Sequence, residues 1–215
     1  MRSLKTLLPS DFEQMEKHYR THFFNSLTGF KSLNLAGTQN EKGQTNLAAF
    51  SQVIHLGADP SLIGIIVRPA SVPRHTLQNI NETGIFTLNH VNESFVRKAH
   101  QTSARYADDI SEFEAVGLTP FYSENIKAPY VQEADIRIGL KSVEQILIQA
   151  NQTLLIAGEI IEVILPPEIV KSDGFIDLNQ AGSITVSGLD AYLSTKKIAR
   201  FSYAKPGKPL ENITY

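Results

Sequence analysis

The first periodic stretch of the chain sets Phe12, Met15 and Tyr19 on one stripe, the spacing of a helix face. Ser10 and Glu13 read as a capping box, with the helix running on to about His22, and Gly29 ends this opening region. The period then shortens to two. Leu33, Leu35 and Gly37 alternate with Ser32, Asn34 and Ala36, the turn residues 40–43 follow, and 44–50 return as the second arm of a hairpin. The apolar run 62–68 predicts a strand buried on both faces. Pro69 and Pro73 bracket a loop, 75–80 predict one or two helical turns opened by Thr76, and 85–91 predict another strand after Gly84.

From Asn92 to Gly117 the spacing is helical, through Phe95, Val96 and Ala99 and then Ile110, Phe113 and Val116. After the loop 120–129, two long apolar runs, 134–150 and 153–165, are hinged at Asn151-Gln152. In the first run Ile136, Ile138 and Leu140 alternate, Val143 falls out of phase, and Ile146 and Ile148 resume. A slipped phase predicts a bulge, the device that bends sheets into barrels. A further strand is expected within 183–192, followed by a tail at 205–209. The expected fold class is mainly β, a β-barrel with α-helical insertions. Residues 1–26 are read as a helical extension and 27–215 as the domain. Periodicity does not give the strand order.

Composition narrows the function classes. The chain has 215 residues, 42% of them hydrophobic and 20% charged, which is the make-up of a folded globular protein. A net charge of −2 argues against a broad nucleic-acid-binding face and leaves room for a small anion pocket. Cysteine is absent, so disulfides, thiolate metal sites and cysteine nucleophiles are excluded together. The first ten residues hold no continuous apolar run, and Gly158, Glu159 and Glu162 interrupt the longest apolar stretches. No secretory signal or membrane span is read, and a cytoplasmic protein is expected.

The sequence has no Gly-Lys-Ser/Thr phosphate loop, Gly-x-Gly-x-x-Gly, His-Glu-x-x-His or Gly-x-Ser-x-Gly. His18 and His22 have ligand-like spacing but no third partner, so they read as a solvated helix face and no metal is assigned. Asp108-Asp109 and Glu112/Glu114 read as helix-dipole and solubility groups rather than an acid/base dyad. No catalytic side-chain constellation is found. That pattern suits a protein whose chemistry resides in an organic cofactor.

Two segments combine small residues with hydrogen-bonding groups. In 44–51, Ala48 and Ala49 permit close approach of a flat ligand, while Asn46 and Ser51 offer donors and acceptors. An ordinary edge strand of small residues would look the same. In 67–79, Arg68 ends a strand, and Arg74, His75 and Thr76 stand at a helix start, where free N–H groups and guanidinium suit a phosphate monoester. A plain Thr cap flanked by exposed arginines is the competing reading.

In order, these pieces resemble the flavin reductase-like, FMN-binding split-barrel family. The resemblance is carried by Gly43-x-x-Asn46-Leu-Ala-x-Phe50-Ser51, Asp59-Pro-Ser-Leu-Ile-Gly-Ile, His75-Thr76-Leu-x-Asn79-Ile and Glu82-Thr-Gly84-Ile-Phe-Thr-Leu-Asn89. Phe113-Glu-Ala-Val-Gly-Leu118, Pro129-Tyr-Val-x-Glu133-Ala and the paired runs 140–163 continue it, over roughly residues 27–165. It implies a dimeric split barrel with FMN near the subunit interface. Asn46, Leu47, Ala48, Ala49 and Ser51 would line the flavin ring and ribityl chain. Arg68, His75 and Thr76, helped by Arg74, would hold the phosphate, and Ser103, Arg105 and Tyr106 would approach the face where a nicotinamide or other substrate stacks. The implied activity is hydride transfer from NAD(P)H to flavin N5.

The chain departs from the family at Ala150-Asn151-Gln152-Thr, where many members carry Gly-Asp-His, and at His75, where they carry Asp. A flavin-binding electron carrier without NAD(P)H turnover, and a split barrel holding haem or pyridoxal phosphate, are the alternative readings.

Overall fold

The computed structural model describes residues 2–69, 74–107 and 109–214; Pro73 and Asp108 lie outside them. The opening helical region is two helices, not one: α1 (Pro9–Glu13) and α2 (Lys17–Leu27). The expected Ser10–Glu13 box does not form. Asp11 instead accepts the Leu8 N–H at 2.7 Å, and Glu16 accepts the N–H groups of His18 and Tyr19 at 2.7 and 3.0 Å, which starts a second helix. Those backbone bonds also hold the Glu16 carboxyl below its usual pKa.

The short β1 (Lys31–Ser32) leads into the hairpin β2 (Asn34–Gln39) and β3 (Thr45–Phe50). β4 (Val53–Ala58) and β5 (Ser61–Val67) follow, then α3 (His75–Thr83) and β6 (Ile85–His90). The predicted helical stretch after Asn92 is a single 3₁₀ turn, α4 (Val96–Gln101), and α5 (Glu112–Val116), with a loop between the helices. Thr102 stops α4 by bonding back to the Ala99 carbonyl at 2.8 Å. Next come the short pair β7 (Pro120–Phe121) and β8 (Tyr130–Val131) and the long pair β9 (Arg137–Ile148) and β10 (Thr153–Ile164). The single strand expected within 183–192 is a small hairpin, β11 (Thr185–Ser187) and β12 (Ala191–Leu193).

Seven strands form one antiparallel sheet in the order β3-β2-β6-β9-β10-β5-β4. Its two edge strands are consecutive in the chain, joined through Ser51 and Gln52, so the sheet curls back on itself at that corner. The curl needs bent strands. Gly158 pairs with Ser142 and Ala157 with Glu144, leaving Val143 as the extra residue of a bulge. A second bulge leaves Ile161 unmatched.

The core has two main parts. Ala36, Ile65, Phe86, Leu88, Leu140 and Ile156 pack against Ile80 of α3. On the opposite side of β2, Leu33, Leu35 and Leu47 pack against Phe95, Phe113 and Val186. β2 is therefore buried on both faces, and the half-polar alternation of its sequence is satisfied internally: Asn34 donates to Ser32 Oγ at 3.2 Å.

Candidate functional site

The corner between β3 and β4, the end of β5 and the start of α3 surround a cavity of about 1180 Å³, above the usual range for a single small-molecule pocket. Its floor is the β3 segment. Ala48 and Ala49 line it with no bulk beyond a methyl, and Asn46 and Ser51 stand beside them. Asn46 is locked in place. Its Nδ2 donates to Thr76 Oγ1 at 2.9 Å and to Thr38 Oγ1 at 3.3 Å, and Asn79 Nδ2 donates to the same Thr38 oxygen at 3.1 Å. These four buried side chains bolt α3 to the hairpin. Thr76 accepts in that network, so its hydroxyl proton is left to donate elsewhere.

Thr76 is not the helix cap that the sequence suggested. His75 begins α3, and Arg74 occupies the N-cap position without a capping side-chain bond. The first-turn N–H groups therefore receive no bond from that residue. Arg74, His75, Thr76 and Arg68 all line this cavity. Arg74 makes only a long 3.5 Å bond from Nη2 to the Pro69 carbonyl, and its buried Nε has no partner among the described residues. A buried guanidinium nitrogen without an acceptor is costly, and an anionic ligand would relieve it. Lys31 feels the charge of Arg68 but is not among the residues that line the cavity. Burial, and then the neighbouring Arg68, hold its ammonium below the usual lysine pKa.

Ser103, Arg105 and Tyr106 of the α4–α5 loop line the cavity. The Tyr106 hydroxyl donates to the Gln101 carbonyl at 3.3 Å, which holds the loop against α4. Leu47 differs from the other expected residues. Its side chain is fully buried in the outer core, away from the cavity lining. Its N–H donates to Glu112 Oε2 at 3.0 Å. Glu112 itself lines the cavity, so the residue read as a helix-dipole and solubility group tethers α5 to the cavity floor.

His22 of α2, singled out in the sequence only as half of the His18–His22 pair, also lines the cavity. Sequence reasoning passed over Asn25 of α2, His100 of α4, and Leu189 and Asp190 of the β11–β12 turn. No local motif marks these four, because each reaches the cavity only through tertiary packing. His18 and His22 pack edge to face with ring centroids 4.6 Å apart. No group of three or more His, Cys, Asp or Glu able to hold a metal exists among the described residues. A smaller cavity, of about 480 Å³ beside Asn92 and Asp135, contains none of the expected site residues.

Residues 32–179 match the flavin reductase like domain family. The chain belongs to that family. A structure with a split barrel domain from Shewanella frigidimarina NCIMB 400 is 48% identical, with a TM-score of 0.90 over 93% of this chain and all of that one. A curated but uncharacterized protein of Halalkalibacterium halodurans is 31% identical over 173 residues, 80% of this chain and 79% of its own. The flavoredoxin of Desulfovibrio vulgaris (Miyazaki F) is 26% identical, with a TM-score of 0.68 over 83% of this chain and 92% of that one. The mainly β, split-barrel expectation is what the structure and these relatives show. In this flavin reductase-like chain no helix among the described residues is long and apolar enough to cross a membrane.

Proposed function

We propose that the protein binds FMN in the large cavity and acts as an NAD(P)H-dependent flavin oxidoreductase. The observation that carries this reading is the buried Nε of Arg74 at the start of α3, which has no partner among the described residues and lines the same cavity as Arg68. That corner suits a phosphate monoester, and the residues present fit the mononucleotide. In this reading Arg68, Arg74, His75 and Thr76 hold the phosphate. Asn46, Ala48, Ala49 and Ser51, with the main chain of Leu47, line the ring and ribityl chain. Ser103, Arg105 and Tyr106 face the nicotinamide side. When bound, the flavin supplies the hydride acceptor. The chain's own part is to fix two planar ligands against each other and to exclude water. The transfer needs no general acid, which agrees with the absence of an acid/base constellation.

The same reading takes residues 27–215 as one domain with a helical extension at 1–26, cytoplasmic and homodimeric. An exposed apolar face supports the dimer: Ile54 and Leu56 on β4, Val143 and Ile146 on β9, and Ile161 on β10. Leu155, Ile54 and Leu56 all approach the open Cα of Gly64, so β4 and β10 share that face.

A flavin-binding electron carrier is the second reading, favoured by the likeness to flavoredoxin and by Asn151-Gln152 at the β9–β10 turn, where the family resemblance implies a His. Fluorescence quenching on titration with FMN tests the cofactor, and anaerobic mixing of the loaded protein with NADH or NADPH separates the readings. Bleaching of the flavin colour supports the oxidoreductase, persistence of the colour supports the carrier, and absence of quenching overturns both.

A further inference from the structure

Two stretches outside the matched residues 32–179 meet beside the cavity. β1 pairs with β11, Lys31 lying opposite Val186. Lys31 Nζ donates to the carbonyls of Asn25 in α2 and Gly188 in the β11–β12 turn, both at 3.0 Å. One ammonium thus ties the N-terminal helix to the C-terminal hairpin. From this joint His22 and Asn25 on one side, and Leu189 and Asp190 on the other, line the cavity. The hairpin also anchors His100, whose Nδ1 bonds the hydroxyl of Tyr192.

The chemistry of this wall differs from that of the β3 floor and the arginine corner. It presents a carboxylate, a carboxamide and imidazoles, groups that bond neutral hydroxyls. A carboxylate accepts two O–H groups from a vicinal diol and repels a phosphomonoester at the same position. We propose that the wall built by the two terminal extensions selects the second ligand: Asp190 and Asn25 engage a free ribose diol and disfavour a ribose phosphate, so NADH is the preferred donor over NADPH. The inference rests on the flavin reading above and adds the donor preference and the residues that set it.

The test uses the full-length chain loaded with FMN, with apparent dissociation constants for NADH and NADPH taken from anaerobic stopped-flow bleaching. The wild type is expected to prefer NADH. Asp190→Asn should shrink the preference by about tenfold, equivalent to ~1.4 kcal/mol. Asn25→Ala should weaken NADH binding, and both variants should keep the FMN affinity and melting temperature of the wild type. Equal or better use of NADPH by the wild type would overturn the inference, as would an unmoved ratio in Asp190→Asn. No bleaching by either dinucleotide, with FMN quenching intact, overturns it while leaving flavin binding standing. Failure of FMN to quench removes the flavin reading itself.

Discussion

At the scale of single residues, the cavity is a set of polar groups held by each other and one group that is not. Asn46, Thr76, Thr38 and Asn79 satisfy one another, whereas the Arg74 Nε has no acceptor among the described residues. Truncating Arg74 to Ala should therefore cost FMN affinity while leaving the fold intact. Loss of a charge-assisted bond of ~1.5–3 kcal/mol corresponds to roughly 10- to 100-fold in the dissociation constant. Fluorescence titration reads it directly, and an unchanged affinity would remove Arg74 from the phosphate site. His90 illustrates a different residue-level effect. Burial pushes its imidazole pKa down to about 4, with Nδ1 hydrogen-bonded to Ser183 Oγ at 3.1 Å. The unfolded chain takes up that proton near pH 6.5 and the folded chain only near pH 4, so the folded state binds fewer protons in between. Stability from this group is present above about pH 6.5 and falls as the pH drops toward 4. The melting temperature should decline across that window, and His90→Gln should flatten the decline.

At the scale of elements, the phase slip at Val143 was legible because a bulge leaves a signature in the sequence: one residue breaks a period of two. The facing strand required a second adjustment that periodicity does not reveal. A Cβ on Gly158 would lie 2.7 Å from Phe86 Cζ and 3.0 Å from Leu140 Cδ2, so the bulge brings this backbone against the aromatic core. Gly158→Val should destabilise the domain by about 1–3 kcal/mol through overpacking, measured as a lower urea midpoint with an unchanged slope. Other elements were not legible, for physical reasons. β4 is an edge strand broken by Gly57 and largely exposed, so it lacks the apolar alternation that marks half-buried strands. The opening helix divides because the Asp11 and Glu16 carboxylates cap better-placed N–H groups than Ser10 does, a choice made by local geometry. The helical spacing of the stretch after Asn92 holds in α4 and α5, while the loop between them delivers Ser103, Arg105 and Tyr106 to the cavity.

At the scale of the whole molecule, curling the seven-stranded sheet buries one face and leaves apolar side chains of β4, β9 and β10 facing outward. Ile146 is more than two-fifths exposed, and Ile148, on the same face of the strand, lines the cavity, so that surface and the cavity are continuous. If this face is the dimer contact, Ile146→Asp should give a monomer in sedimentation velocity and weaken FMN retention together. A dimer unchanged by that charge would place the interface elsewhere. Read alone, the chain determined the mainly β class, the hairpin and the bulge, and offered the small residues of β3 and the groups Arg68, Arg74, His75 and Thr76 as candidates. Each of these is written in neighbouring positions, where period and local hydrogen bonding act. Tertiary structure alone decided the strand order, the burial of Leu47 away from the cavity, the bond from Glu112 to the Leu47 N–H, and the wall from His22 to Asp190. Those groups are brought together by long-range pairing and by one lysine spanning more than 150 residues, and no local period records such a contact.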